Sequence, residues 1–120
     1  METTSTQTKA LAILVRKDEG EWKSLSTPGV SVKVLHLEKE TQAVSFLLKL
    51  EAGARFPAHN HPAGEEVFVI EGDLKLGGHH LRTGDYLYTP PDGKHAAWSQ
   101  NGCLVFVNLP KPIEILKDEK

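Results

Sequence analysis

Cysteine is almost missing: the 120-residue chain carries one, Cys103. An intramolecular disulfide is impossible, and Cys₄ zinc sites, paired-thiol redox motifs and disulfide-stapled secreted scaffolds drop out with it. No run approaches the roughly 18 apolar residues that would span a bilayer, the longest early one being Ala10 to Val15. That stretch follows the polar run from Thr3 to Thr8 and precedes Arg16-Lys17-Asp18-Glu19 with no small-residue cleavage site. It therefore reads as a short strand rather than a signal peptide, and the chain as a cytoplasmic protein with no membrane role. An excess of positive charge is also lacking, since 14 Lys plus Arg against 16 Asp plus Glu leave a net charge of −2. A nucleic-acid partner gripped by a basic face is excluded on that ground. Six histidines remain as the conspicuous resource, so chemistry has to come from them or from carboxylates.

Helical signals are missing too, because no window of ten or more residues shows an apolar stripe with caps. Period two dominates instead. Val30, Val32 and Val34 alternate with Ser31 and Lys33, and Val44, Phe46, Leu48 and Leu50 form a second row. Glu65 to Glu71 is rich in β-branched and aromatic residues and is predicted to end as a strand at Gly72-Asp73. Gly77-Gly78 is a two-residue hairpin turn leading to Leu81, Tyr86 and Tyr88, and Cys103 to Leu109 closes the series. The expected fold class is all-β, with the edges managed by closure into a small barrel. The expected division is a tail over 1–9 and a single barrel domain over 10–116. A chain of this length can bury roughly two-thirds of its unfolded surface, enough for a core without staples.

His59 and His61 stand at i and i+2, which on a strand puts both rings on one face about 6.6 Å apart at the backbone. Taken alone, such a pair is more often two polar surface residues than a site. The context changes that. Pro62-Ala63-Gly64 is a turn able to send the chain back so that Glu65 presents its carboxylate to the same spot, and His95 opens a strand thirty residues on. Three imidazoles and a carboxylate suit Zn, Fe, Ni, Mn or Cu. A divalent ion held by one carboxylate keeps a net positive charge, which favours anionic or enolisable oxygen ligands.

The spacing resembles a known family. Gly53, five residues, His59, one residue, His61, three residues, Glu65, six residues and Gly72 reproduce the first cupin motif. Gly84-Asp85, Pro90 and His95 reproduce the second. The resemblance implies a double-stranded β-helix, or jelly-roll, barrel with His59, His61, Glu65 and His95 binding a metal in its mouth, Zn or Fe first and Ni or Mn next. More finely, the chain resembles the cupin domain of ChrR-like anti-sigma factors. That likeness rests on His59-Asn60-His61-Pro62-Ala63-Gly64-Glu65-Glu66, Val69-Ile70-Glu71-Gly72, Gly84-Asp85-Tyr86, the Pro90 to His95 turn and Ser99-Gln100-Asn101-Gly102-Cys103. Ser99 stands where an asparagine often ends the second motif. The helical anti-sigma domain that precedes the cupin in those regulators is missing from this sequence, so a sigma factor is not assumed as a partner.

Other residues have plainer expectations. Glu66 competes with Glu65 for the inward position, but Glu65 keeps Gly72 in its place and puts Val67 and Val69 inward with it. His79 and His80 read as exposed hairpin residues, while His36 continues the Val30-Val32-Val34 row and is expected to turn inward. Phe46, Phe56, Phe68, Tyr86, Tyr88, Trp98 and Phe106 supply the barrel's bulk as core or interface residues, and Phe56 and Trp98, which flank the motifs, either line the cavity or simply pack. Arg55 and Lys94 lie beside the motifs and could meet an anionic ligand, although solvation is the default for both. Cys103 reads as an inert thiol.

Two functions are expected from this pattern. One is a metal-binding cupin that binds or senses a small molecule; the other is a non-haem metal-dependent dioxygenase acting on an enolisable substrate. The resemblance also implies a homodimer paired through outer sheet faces, with the Ala10 to Val15 strand crossing over.

Overall fold

A computed structural model describes residues 11–116. The expected tail over 1–9, with Ala10, lies outside the described residues. Ten strands and no helix occupy the described chain: β1 (Lys23–Ser24), β2 (Val30–Leu37), β3 (Val44–Leu50), β4 (Arg55–His61), β5 (Glu65–Leu76), β6 (His79–Arg82), β7 (Tyr86–Thr89), β8 (Gly93–Trp98), β9 (Cys103–Leu109) and β10 (Glu114–Ile115). All pairings are antiparallel. One sheet runs β1-β2-β3-β9-β5-β7 and the other β6-β5-β8-β4-β10, so β5 belongs to both. The result is a curled antiparallel jelly roll whose inner faces meet. Val67 and Val69 of β5, Val105 and Val107 of β9, Leu50 of β3 and Leu74 of β5 are almost completely buried between them.

Glu65 to Gly72 does not end as a strand where the glycine predicts a stop. The strand continues to Leu76, with a bulge between Val69 and Glu71, and changes sheets as it goes. Up to Gly72 it pairs with β9; from Asp73 onward it pairs with β6, and at Lys75 and Leu76 also with β8. Gly72 is required by close approach: it sits at φ +98°, and a Cβ there would overlap the Gly102 carbonyl oxygen and stand 2.7 Å from Cys103 Cα. The glycine is thus a crossing point rather than a terminator.

Two other expectations are corrected. Leu11 to Val15 forms no strand, and Leu11, Ile13 and Leu14 are largely exposed, because no free sheet edge is paired with that segment. His36 points away from the cavity: a bulge between Val34 and His36 adds one residue to β2 and reverses the alternation, so Leu37 takes the inner position and His36 meets Glu38 at 3.3 Å on the surface. Between the core and interface positions expected for the bulky aromatics, Phe68, Tyr86 and Tyr88 take the exposed outer face of the first sheet. Lys33 is buried although it faces outward, because the segment before β1 lies over its stem and Lys33 Nζ donates to the Lys17 carbonyl at 3.0 Å.

Candidate metal centre

β4, β5 and β8 bring the four sequence-identified residues together. His59 on β4 lies directly opposite His95 on β8, so the two rings rise from the same face of adjacent strands. His61, two residues along β4, joins them, with ring centroids 4.6 Å from His59 and 4.5 Å from His95. Glu65 arrives from the other sheet after a tight turn in which Gly64 N–H donates to the His61 carbonyl at 3.0 Å. Gly64 is needed there, since at φ +89° a Cβ would press to 2.8 Å against the Thr89 carbonyl oxygen. Three imidazoles from one sheet therefore face a carboxylate from the opposing one.

One potential ligand atom from each residue lies within 4.8 Å of the others, and among the described residues this is the group of His, Cys, Asp and Glu that could hold a metal ion. The chemistry of the set fits such an ion. Glu65 Oε1 stands 3.2 Å from His61 Nε2 and 3.3 Å from His95 Nε2, and none of these three buried atoms has a satisfied hydrogen bond. Buried polar atoms without partners are costly, and a shared cation satisfies all three at once. The rings are also presented correctly. His59 Nδ1–H donates to the Pro57 carbonyl and His61 Nδ1–H to the Gly93 carbonyl, both at 2.7 Å, which fixes the tautomer that leaves each Nε2 lone pair free.

Electrostatics follow from burial and proximity. Burial holds the His59 imidazolium below its ordinary range. Burial acts the same way on His61, but the Glu65 carboxylate and the Gly93 carbonyl outweigh it and raise that ring. For Glu65, burial alone would raise the carboxyl, yet the His61 and His95 rings prevail and hold it at about 2. The carboxylate is anionic and the His59 ring is held toward its neutral form, the protonation states metal ligands need.

Three of the four residues open onto an apolar cavity of about 400 Å³, with His61 buried behind them. His59, Glu65 and His95 form part of its wall, and Val32, Val34, Phe46, Leu48, Phe56, Val67, Leu74 and Val107 supply much of the rest. Phe56 packs edge-on against the His59 ring, with centroids 5.2 Å apart. Trp98 does not reach the cavity: it lies on the outer face of the second sheet, and Arg55 stacks against it there. Lys94 donates to the Asp92 carbonyl, away from the cavity. Glu66, His79 and His80 are exposed, and Cys103 is buried with its thiol pushed up by that burial. Ser99 is buried in the turn before β9, where its hydroxyl donates to the Asp73 carbonyl and accepts from Gly102 N–H. The orienting carbonyls of Pro57 and Gly93 escape sequence reasoning, because a backbone oxygen has no residue-type signature.

The family profile described as "ChrR Cupin-like domain" matches residues 11–111. The chain belongs to this cupin family. A search of curated proteins finds no match. Among solved structures the cupin chain is similar to a protein of Methylibium petroleiphilum PM1 provisionally assigned as an acetylacetone dioxygenase, with TM-score 0.84, 22% identity, and 92% of this chain and 85% of that one covered. It is also similar to an acetylacetone dioxygenase from Acinetobacter johnsonii, with TM-score 0.83, 16% identity, and 98% and 86% covered. The complex of Rhodobacter sphaeroides SigE with the anti-sigma ChrR matches at TM-score 0.68 and 22% identity, over 78% of this chain and 50% of that one. Likeness at these identities is likeness of fold.

Proposed function

We propose that this cupin holds a divalent transition metal, zinc or iron, through His59, His61, Glu65 and His95, and uses it to bind and sense a small, largely apolar molecule with an oxygen-donor head. The observation that carries this reading is the contact between partnerless buried donor atoms and an apolar cavity of about 400 Å³. That volume lies within the ordinary range for small-molecule sites, and a dry wall beside a charged centre selects ligands that are apolar at one end and anionic at the other. A bound metal would supply Lewis acidity toward an oxygen ligand. The chain's own part is to fix the Nε2 atoms through Pro57 and Gly93, keep Glu65 anionic, and exclude water with Val67, Phe46 and Phe56.

A second reading, a metal-dependent dioxygenase of enolisable substrates, is favoured by the position of Glu65. Among the described residues it is the one carboxylate in the cavity wall, and its anionic oxygen can take a proton from a carbon acid bound beside it. One experiment separates the readings. The purified chain is analysed for metals, reconstituted with iron under anaerobic conditions, and given acetylacetone in an oxygen electrode. Bound metal with saturable acetylacetone binding and no oxygen uptake supports sensing; uptake above that of iron-free protein supports the dioxygenase. A chain that neither retains metal nor binds acetylacetone overturns both.

Two copies are proposed to pair through the outer face of the first sheet, where Phe68, Ile70, Tyr86 and Tyr88 are exposed beside Leu11, Ile13 and Leu14. A contiguous exposed apolar face of this kind marks an interaction surface. Light scattering at micromolar concentration is expected to give twice the 13.2 kDa chain mass. A monomer there, or a dimer indifferent to Tyr86→Lys, counts against this face.

A further inference from the structure

The outer face of the second sheet carries an ordered line of charge that the cavity does not use. Arg55 on β4 lies opposite Trp98 on β8, Trp98 opposite Lys75 on β5, and Lys75 opposite His80 on β6. Residues directly opposite one another share a face, so the four side chains form a strip across four strands, about 14 Å long at the usual strand spacing. The Arg55 guanidinium carbon is 5.0 Å from the Trp98 ring centroid and Lys75 Nζ is 4.8 Å from it. β8 lies between β4 and β5, so the indole is flanked by a cation on each side. Neither cation forms an ion pair with a described carboxylate. Asp73, on the same strand as Lys75, is committed elsewhere: its carboxylate accepts the Gln100 and Asn101 N–H groups, both at 3.0 Å.

We propose that this strip docks an acidic polypeptide segment of a partner protein. The indole orders Arg55 and Lys75 without neutralising them, so much of the entropy cost of fixing two long side chains is met before binding. Arg55 then presents a planar fork that matches a carboxylate. Arg55 and Lys75 rise from strands two places apart in the sheet, roughly 10 Å at the usual strand spacing, a span that an extended segment covers in about three residues. A nucleic acid fits less well. Single strands bind where bases stack on open aromatic faces, and the Trp98 ring already carries the Arg55 and Lys75 cations.

The test is a titration of the full chain with a hexaglutamate peptide at low salt, followed through the Trp98 indole N–H in a two-dimensional NMR spectrum. The expected result is a saturable shift of that signal, weakened at least about tenfold by Arg55→Glu or Lys75→Glu. Lys39→Glu makes the same change of net charge off the strip and is expected to leave affinity within about twofold. Spectral dispersion reports whether each variant is folded; Arg55→Gln and Lys75→Gln, which keep the stems on the indole, serve where a charge reversal disturbs the sheet. Equal weakening by all three reversals, no shift at the indole, or tighter binding of a thymidine hexanucleotide than of the peptide overturns the proposal.

Discussion

Replacing Gly72 with alanine is expected to destabilise the protein by at least about 3 kcal/mol, lowering the melting temperature by more than roughly 10 °C. Two costs combine at this residue. Its φ of +98° is a conformation that side chains rarely adopt, and the added methyl would overlap the Gly102 carbonyl oxygen and crowd Cys103 Cα. Both obstacles are backbone, so no rotamer change relieves them. Relief requires moving the start of β9 away from β5, which breaks the Gly72–Cys103 and Glu71–Leu104 pairings where the strand changes sheets. Gly53 is the control. It also has positive φ, +84°, but a Cβ there meets nothing within 4 Å. Gly53→Ala is expected to cost about 1 kcal/mol, the backbone share alone. Equal midpoints for the two variants in urea would show that the close approach at Gly72 contributes nothing.

The contrast between those glycines marks where sequence reasoning reaches and where it stops. Both belong to the motif spacing that identifies the barrel, yet only coordinates distinguish a crossing from an open turn. The Val44-Phe46-Leu48 row was legible because β3 is regular along its length, and all three residues line the cavity. His59, His61 and Glu65 were legible because a strand, a turn and a strand bring them together locally, without any distant bulge intervening. Parity fails where a strand gains a residue. Phe56 and His59 are three apart yet both line the cavity, because β4 bulges between them; Val34 and Leu37 do the same on β2 at the expense of His36. A bulge leaves no reliable mark in the residue types. For Phe68, Tyr86 and Tyr88 the choice between core and interface was not legible, because β propensity rewards aromatic residues on either face of a sheet.

Removing two imidazoles is expected to abolish metal retention. In a His59→Ala/His61→Ala variant the metal-to-protein ratio after dialysis should fall at least about tenfold, since even lost orienting contacts cost a site that much and here two ligands themselves are gone. The pH dependence gives this prediction a sign. In the metal-free chain Glu65 lies at about 2, below its unfolded value near 4.3, so the stability it contributes is present above about pH 4.3 and is lost as the pH falls toward 2. His61, raised by Glu65 and Gly93 against its burial, stabilises below about pH 6.5 and loses that contribution as the pH rises through its folded value. His59, lowered by burial, acts in the opposite sense and offsets it. A metal ion displaces the protons for which these rings compete, so its stabilisation grows as the pH rises. The melting-temperature gap between metal-loaded and metal-free parent is therefore expected to widen from about pH 5 to about pH 8, while the double variant shows no gap at either. A gap that stays constant with pH in the parent, or persists in the double variant, would place the ion outside this cluster.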